Sequence, residues 1–137
     1  MESQMWSSFQ KVFKAFGDLV RIENAVAAGT PDVNYCFHGC EGWIEFKEVA
    51  EWPPNGGPLR VPHFTPRQRL WLRRRRRAGG RAWLLLRVRA TSEWLLFDGA
   101  VAAELLGTSA REVLQLAARV SQVGLAHPSQ LLTVLKH

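Results

Sequence analysis

The chain predicts a single α/β domain, with short apolar strands and amphipathic helices alternating around one sheet. Three observations carry that expectation. Met5, Trp6, Phe9, Val12, Phe13 and Phe16 recur at helical spacing. Short runs such as Val33, Tyr35 and Phe37 alternate with polar residues, as half-buried strands do. Thr65-Pro66 supplies a helix N-cap and first position, and Gly79-Gly80 a stop, with two further apolar runs beyond it. A length of 137 residues suits one domain with one core.

The first helix is expected over about residues 2–16, ending near Gly17, with its aromatics in the core rather than stacked on bases. Leu19, Val20 and Ile22 predict a strand leading to Glu23, and residues 25–30 a small-residue connection close to the functional site. Asp32 to Phe37 and Gly42 to Lys47 read as two strands joined by the hairpin loop His38-Gly39-Cys40-Glu41. That loop sets Asp32 opposite Lys47 and Asn34 opposite Glu45. Opposed residues share a face, so Asp32, Glu45 and Lys47 are expected on one side of the sheet and Ile44 and Phe46 on the other. A slip of one residue would destroy the arrangement.

Residues 49–63 form the longest irregular stretch, and Trp52-Pro53-Pro54-Asn55-Gly56-Gly57-Pro58 cannot continue a strand or a helix. The loop is expected over the substrate groove, with Trp52 as a packing anchor or, as the alternative, a base-stacking group. His63 is read as structural or phosphate-contacting. The helix from Thr65 to about Ala78 places Gln68, Trp71, Leu72 and Arg75 on one face. Ala82 to Val88 and Glu93 to Phe97 are two more strands, the first apolar enough to be buried on both faces. The C-terminal third reads as helical: a short helix from Asp98-Gly99 to Leu106, a capping box at Ser109-x-x-Glu112, and a last segment from Pro128.

The chemistry-bearing residues are few. Asp32 precedes one strand, and Glu45-x-Lys47 lies on the next, 13 residues later. Metal-dependent phosphodiester cleavage needs such a set. Mg²⁺ prefers oxygen ligands and is held by one or two carboxylates plus substrate phosphate. Asp32 and Glu45 fit that role, and the Lys47 amine would orient the attacking water or stabilise the transition state. An isolated Glu-x-Lys is more often an exposed surface pair of little consequence; Pro31-Asp32 at hairpin distance favours the site. Cys36 and Cys40, with His38 and His63 nearby in sequence, make weak zinc ligands, and two cysteines make no disulfide framework.

The net charge of +6 conceals an asymmetry: residues 60–89 hold 11 arginines and no Asp or Glu, while the rest of the chain has 7 basic and 12 acidic residues. A concentrated basic segment is the electrostatic footprint of phosphate binding. Arg60, Arg67, Arg69, Arg73, Arg74, Arg75, Arg76 and Arg77 are therefore candidate DNA contacts. Five successive arginines on a helix point all round it, so some of them must serve solvent or the fold instead. No apolar run reaches the ~18 residues that span a bilayer, and the N-terminus lacks a signal-peptide pattern. A cytoplasmic location, in a bacterial or phage-infected cell, is expected.

Gly29-x-Pro31-Asp32 followed by Glu45-x-Lys47 resembles the PD-(D/E)xK nuclease superfamily, and within it the phage-type virus-type replication-repair nucleases and the archaeal-type Holliday junction resolvases. The resemblance runs from about Glu2 to Val88 and includes the first helix, Arg21-x-Glu23 and the helix bearing Gln68. It implies a restriction-endonuclease-like core over about residues 1–98, with a mixed sheet of about five strands flanked by helices and a helical extension over 99–137. It also implies Mg²⁺ or Mn²⁺ as cofactor, DNA as partner, and a homodimer. Asp32 and Glu45 carry over as metal ligands and Lys47 as a catalytic residue. An accessory carboxylate comes from Glu2 or Glu23, with Asn24 as a water or phosphate contact and Gln68 near the site. The expected function is a metal-dependent endonuclease on branched or Holliday-junction-like DNA, in repair, recombination or phage DNA processing. The alternatives are a flap, single-strand or nicking nuclease, and a non-catalytic nucleic-acid-binding accessory protein.

Overall fold

The computed structural model describes residues 3–23 and 27–137. In chain order the elements are α1 (Ser3–Phe13), a 3₁₀ turn (Lys14–Phe16), β1 (Gly17–Arg21), β2 (Val33–Phe37), β3 (Cys40–Val49), α2 (Pro66–Arg77), β4 (Ala82–Val88), β5 (Glu93–Asp98), α3 (Gly99–Leu105), α4 (Arg111–Ala117), β6 (Val120–Val123) and α5 (Ser129–Leu135). Six strands form one sheet in the order β1-β2-β3-β4-β5-β6. Every neighbouring pair is antiparallel except β3 and β4. That parallel pair needs a long crossover, and the stretch containing α2 provides it. The result is a mixed α/β sheet flanked by helices.

Two apolar layers enclose the sheet. On one face α1 and α5 pack Met5, Phe9, Phe13, Leu131 and Leu135 against Tyr35, Ile44, Phe46, Trp83 and Leu85. On the other, α2, α3 and α4 pack Leu72, Ala102, Leu106 and Leu114 against Leu84, Leu86, Leu95 and Phe97. Both layers meet on β4, whose residues Ala82 to Leu86 are all buried. The unbroken apolar run in the sequence thus has its cause in burial on both faces.

The β2–β3 hairpin differs in register from the sequence expectation. His38 and Gly39 alone form the turn, with φ of 51° and 82°; positive φ at both positions is the geometry of a tight two-residue hairpin. Cys40 and Glu41 are strand residues opposite Phe37 and Cys36. The pairing therefore moves by two residues: Asn34 faces Trp43, not Glu45, and continuing the ladder by one residue brings Asp32 to Glu45 instead of Lys47. A two-residue shift preserves the faces, so the three groups still lie on one side. Tyr35 lies across Gly42, where a Cβ would fall 2.3 Å from its hydroxyl oxygen, and that hydroxyl donates to the Leu135 carbonyl at 2.5 Å while accepting from Trp83 Nε1 at 2.9 Å.

Two details of the C-terminal third differ from expectation. β6 lies in a segment read as helical; it is a four-residue edge strand whose Val120 is buried and whose Val123 is exposed. A run this short carries too little alternation to declare itself. Ser109 does not cap α4, because Ala110 occupies the N-cap position without a side-chain bond. The capping box forms at α2 instead: Gln68 N donates to Thr65 Oγ1 and Thr65 N to Gln68 Oε1. Among the described residues no helix is long and apolar enough to cross a membrane.

Candidate functional site

Asp32, Glu45, Lys47, His63 and Gln68, with Met5, Phe46, Glu48 and Pro62, line one cavity of about 370 Å³ at the sheet edge of α2. Asp32 sits just ahead of β2. The backbone bond from Ile22 N to the Asp32 carbonyl, 2.7 Å, fixes its position. Its Oδ2 accepts from Phe46 N at 2.8 Å, which orients the carboxylate and leaves Oδ1 for a ligand. This main-chain donor had no signal in the side-chain pattern, because it comes from the residue between Glu45 and Lys47, whose own side chain points to the opposite layer.

Glu45 is the chemically unusual member. It stands at the middle of β3 with 1% exposure, and neither of its carboxylate oxygens completes a hydrogen bond among the described residues. The nearest cation is Lys47 Nζ, 3.3 Å from Oε2. Burial, then the negative charge of Asp32, push the Glu45 pKa up from 4.5 to about 8; Lys47 opposes this and does not overcome it. A buried charge is costly unless it is paired and hydrogen-bonded, and here the Lys47 ammonium stands against two carboxylates, so among the described residues the site is short of positive charge. Asp32 and Glu45 together offer the hard oxygen donors that a divalent cation prefers. The donor set and the orphaned oxygens fit such an ion held by two carboxylates; no group of three or more His, Cys, Asp or Glu side chains converges anywhere among the described residues.

Lys47 is held in place. Its Nζ donates to the His63 carbonyl at 2.9 Å and lies 5.8 Å from the centre of the Phe64 ring. His63 meets Lys47 through its carbonyl, which is presented by a backbone with φ of 64°. Gln68 reaches the cavity from the first turn of α2. Its Oε1 is used by the capping box, which fixes the side chain at the cavity wall.

Glu23 stands elsewhere: it is exposed, 3.7 Å from Arg21 Nε, and does not line the cavity. Glu2 and Asn24 lie outside the described residues. Trp52 is a packing anchor: it is buried, and its Nε1 donates to Glu93 Oε1 at 2.7 Å. With Leu59 and Phe64 it draws the 49–63 loop into the second apolar layer. Pro62 and His63 alone bring that loop to the cavity. Cys36 and Cys40 are free thiols. Cys40 shares a face with its partner Phe37, so the neighbouring Cys36 occupies the other.

The arginines divide into two groups. Arg69 Nη1 donates to the Ala103 carbonyl at 2.9 Å, Arg73 pairs with Glu104 at 3.6 Å, and Arg76 pairs with Asp98. These three tie α2 to α3. Arg60, Arg67, Arg74 and Arg77 are exposed and have no carboxylate within 4.0 Å among the described residues. Arg75, also exposed, packs its guanidinium over Trp71, 4.6 Å from the ring centre.

No family model matches the chain, and no curated protein matches it. Its fold is similar to a solved structure of Hjc, a Holliday junction resolvase from the archaeal hyperthermophile Archaeoglobus fulgidus. The TM-score is 0.58 at 17% identity, over 91% of this chain and 97% of that one. At that identity the likeness is one of fold, and the architecture is restriction-endonuclease-like.

Proposed function

We propose that the chain is a divalent-metal-dependent nuclease that hydrolyses phosphodiester bonds in branched DNA. The observation that carries this reading is Glu45, a buried carboxylate whose oxygens complete no hydrogen bond among the described residues, set beside Asp32 and Lys47 in one cavity. The fold it shares with a Holliday junction resolvase supports the choice of branched DNA. Arg67, Arg74 and Arg77 on α2, exposed and without a carboxylate partner among the described residues, would supply phosphate contacts.

Asp32 and Glu45 would hold Mg²⁺ or Mn²⁺, and that ion, when bound, supplies Lewis-acid charge at the scissile phosphate. The Phe46 amide keeps Asp32 in one orientation, so little freedom is lost on binding. Lys47 has three N–H donors. One goes to His63 and one lies toward Glu45, which leaves the third to orient a water or to stabilise charge on the phosphate. The Gln68 amide would position the same water or phosphate oxygen. A homodimer belongs to this reading, because paired cuts across a junction need two sites.

The test is cleavage of labelled four-way junction, flap, single-stranded and linear duplex DNA in Mg²⁺ or Mn²⁺. Glu45→Ala and EDTA are the controls, and each is expected to lower the rate on the order of 10³-fold or more. Paired nicks confined to the junction are the expected result. Cleavage of flaps or single strands alone would move the substrate within the same class. Salt-sensitive binding of every DNA, with no cutting and no response to Glu45→Ala, would overturn the enzyme reading in favour of a binding protein.

A further inference from the structure

A second cleft, of about 640 Å³, lies further along α2 from Gln68 and is lined by Ala27, Ala28, Trp71, Arg74, Arg75 and Arg77 together with Ala78. Its volume is that of a ligand-sized site, roughly 300–1,000 Å³. Trp71 and Trp43 meet edge to face, with ring centres 5.4 Å apart. The Arg75 guanidinium stacks 4.6 Å from the Trp71 centre and 5.8 Å from that of Trp43. Arg74 and Arg77 flank this stack without a carboxylate partner among the described residues. Next to Ala27 and Ala28, Gly29, at φ +85°, packs so tightly on α2 that a Cβ there would lie 2.5 Å from the Arg67 carbonyl oxygen.

From these observations we infer that the cleft is a subsite for an unpaired nucleotide of the DNA strand that enters the cavity of Asp32 and Glu45. The base stacks on the Trp71–Arg75 pair, and Arg74 and Arg77 take the adjoining phosphates. An aromatic and guanidinium platform binds any base by its π-face, whereas a base inside a duplex has no free face to offer. Placement supports the occupant. Gln68 and Arg75 are on one face of α2, about 10 Å apart along its axis. A strand lying along α2 would thus pass from the carboxylates to the aromatic stack. The inference takes its position relative to the cut from the proposed nuclease function, and the feature read is an unpaired nucleotide at a branch, which a flap always offers and a four-way junction offers where a pair opens at its crossover.

The test is fluorescence anisotropy in EDTA, where nothing is cut, with a fully paired duplex, the same duplex carrying a single-stranded flap, and an oligothymidylate. Arg74→Gln/Arg77→Gln changes only exposed side chains and is expected to lose about tenfold more affinity for the flapped than for the paired DNA. Its log–log salt slope on oligothymidylate should fall by about 1.4, the value for two lost single-strand phosphate contacts. Trp71→Leu, whose fold is checked by its melting curve, should weaken oligothymidylate binding by about tenfold. Equal losses on paired and flapped DNA, or an unchanged salt slope, would overturn the subsite. Retained preference for the unpaired strand in a protein that never cuts would instead overturn the nuclease reading and leave this one standing.

Discussion

Glu45 and Glu93 are both buried, on the same face of the same sheet, one on β3 and the other on β5, and they are treated in opposite ways. Glu93 accepts from Trp52 Nε1, Thr91 Oγ1, Arg111 Nη2 and Gln115 Nε2, at 2.6–3.2 Å. Burial would raise its pKa, yet those donors and the Arg111 charge outweigh burial and hold it below the usual carboxylate value. Among the described residues Glu45 completes no such bond, and its pKa rises to about 8. The first carboxylate is finished: it fastens the proline-rich loop and α4 to the sheet. The second is left short of positive charge, which is how a ligand site differs from a structural one.

The largest effects should separate the two glutamates by swapping which property is lost. Glu93→Ala strips four donors of their shared acceptor, and should cost about 3–5 kcal/mol, read as a drop in Tm of about 10 °C or more. Glu45→Ala should leave the metal-free Tm unchanged or raise it while abolishing cleavage. Equal destabilisation by both substitutions would erase the distinction.

pH sharpens the contrast. Because the folded-state pKa of Glu45 is raised, the folded protein holds a proton that the unfolded chain releases between about pH 4.5 and 8. In the absence of cation, that contribution to stability is fully present at low pH and is lost as pH rises towards 8. Glu45→Gln should therefore gain on wild type by several degrees, roughly 4 °C for each kcal/mol, in melts at pH 8 relative to pH 5. For Glu93 the sign reverses: its contribution is present above the ordinary carboxylate pKa and is lost on acidification. The smallest effect is Trp52→Phe, which keeps the ring in the core and removes one hydrogen bond to Glu93; denaturant titration should show a loss of about 1–2 kcal/mol.

Legibility in the sequence followed how local the physics was. Asp32, Glu45 and Lys47 could be placed on one side because strand alternation survives a two-residue change of register. The turn itself was misjudged, since nothing in His38-Gly39 declares that both residues take positive φ except the glycine. The capping roles of Thr65 and Gln68 involve partners three residues apart, but Ser109-x-x-Glu112 has the same spacing and does not form. Local pattern proposes a cap, and packing decides it. What the sequence concealed is tertiary: the Phe46 amide on Asp32, the His63 carbonyl on Lys47, and the division of one arginine run into residues that tie α2 to α3 and residues left free. The contrast between Glu45 and Glu93 is of the same kind, because each is one Glu in an apolar strand and only the arriving donors tell them apart.

The most direct test of the account is a thermal-shift titration with Mn²⁺ at pH 8 on wild type and Glu45→Gln. Wild-type Tm should climb steadily with the logarithm of Mn²⁺ concentration above its Kd, as expected when a ligand binds only the folded state, and the climb should weaken at pH 6, where Glu45 retains its proton. Glu45→Gln should start higher and stay flat. A parallel climb in both proteins would contradict the claim that the unpartnered carboxylate of Glu45 is the seat of the cation.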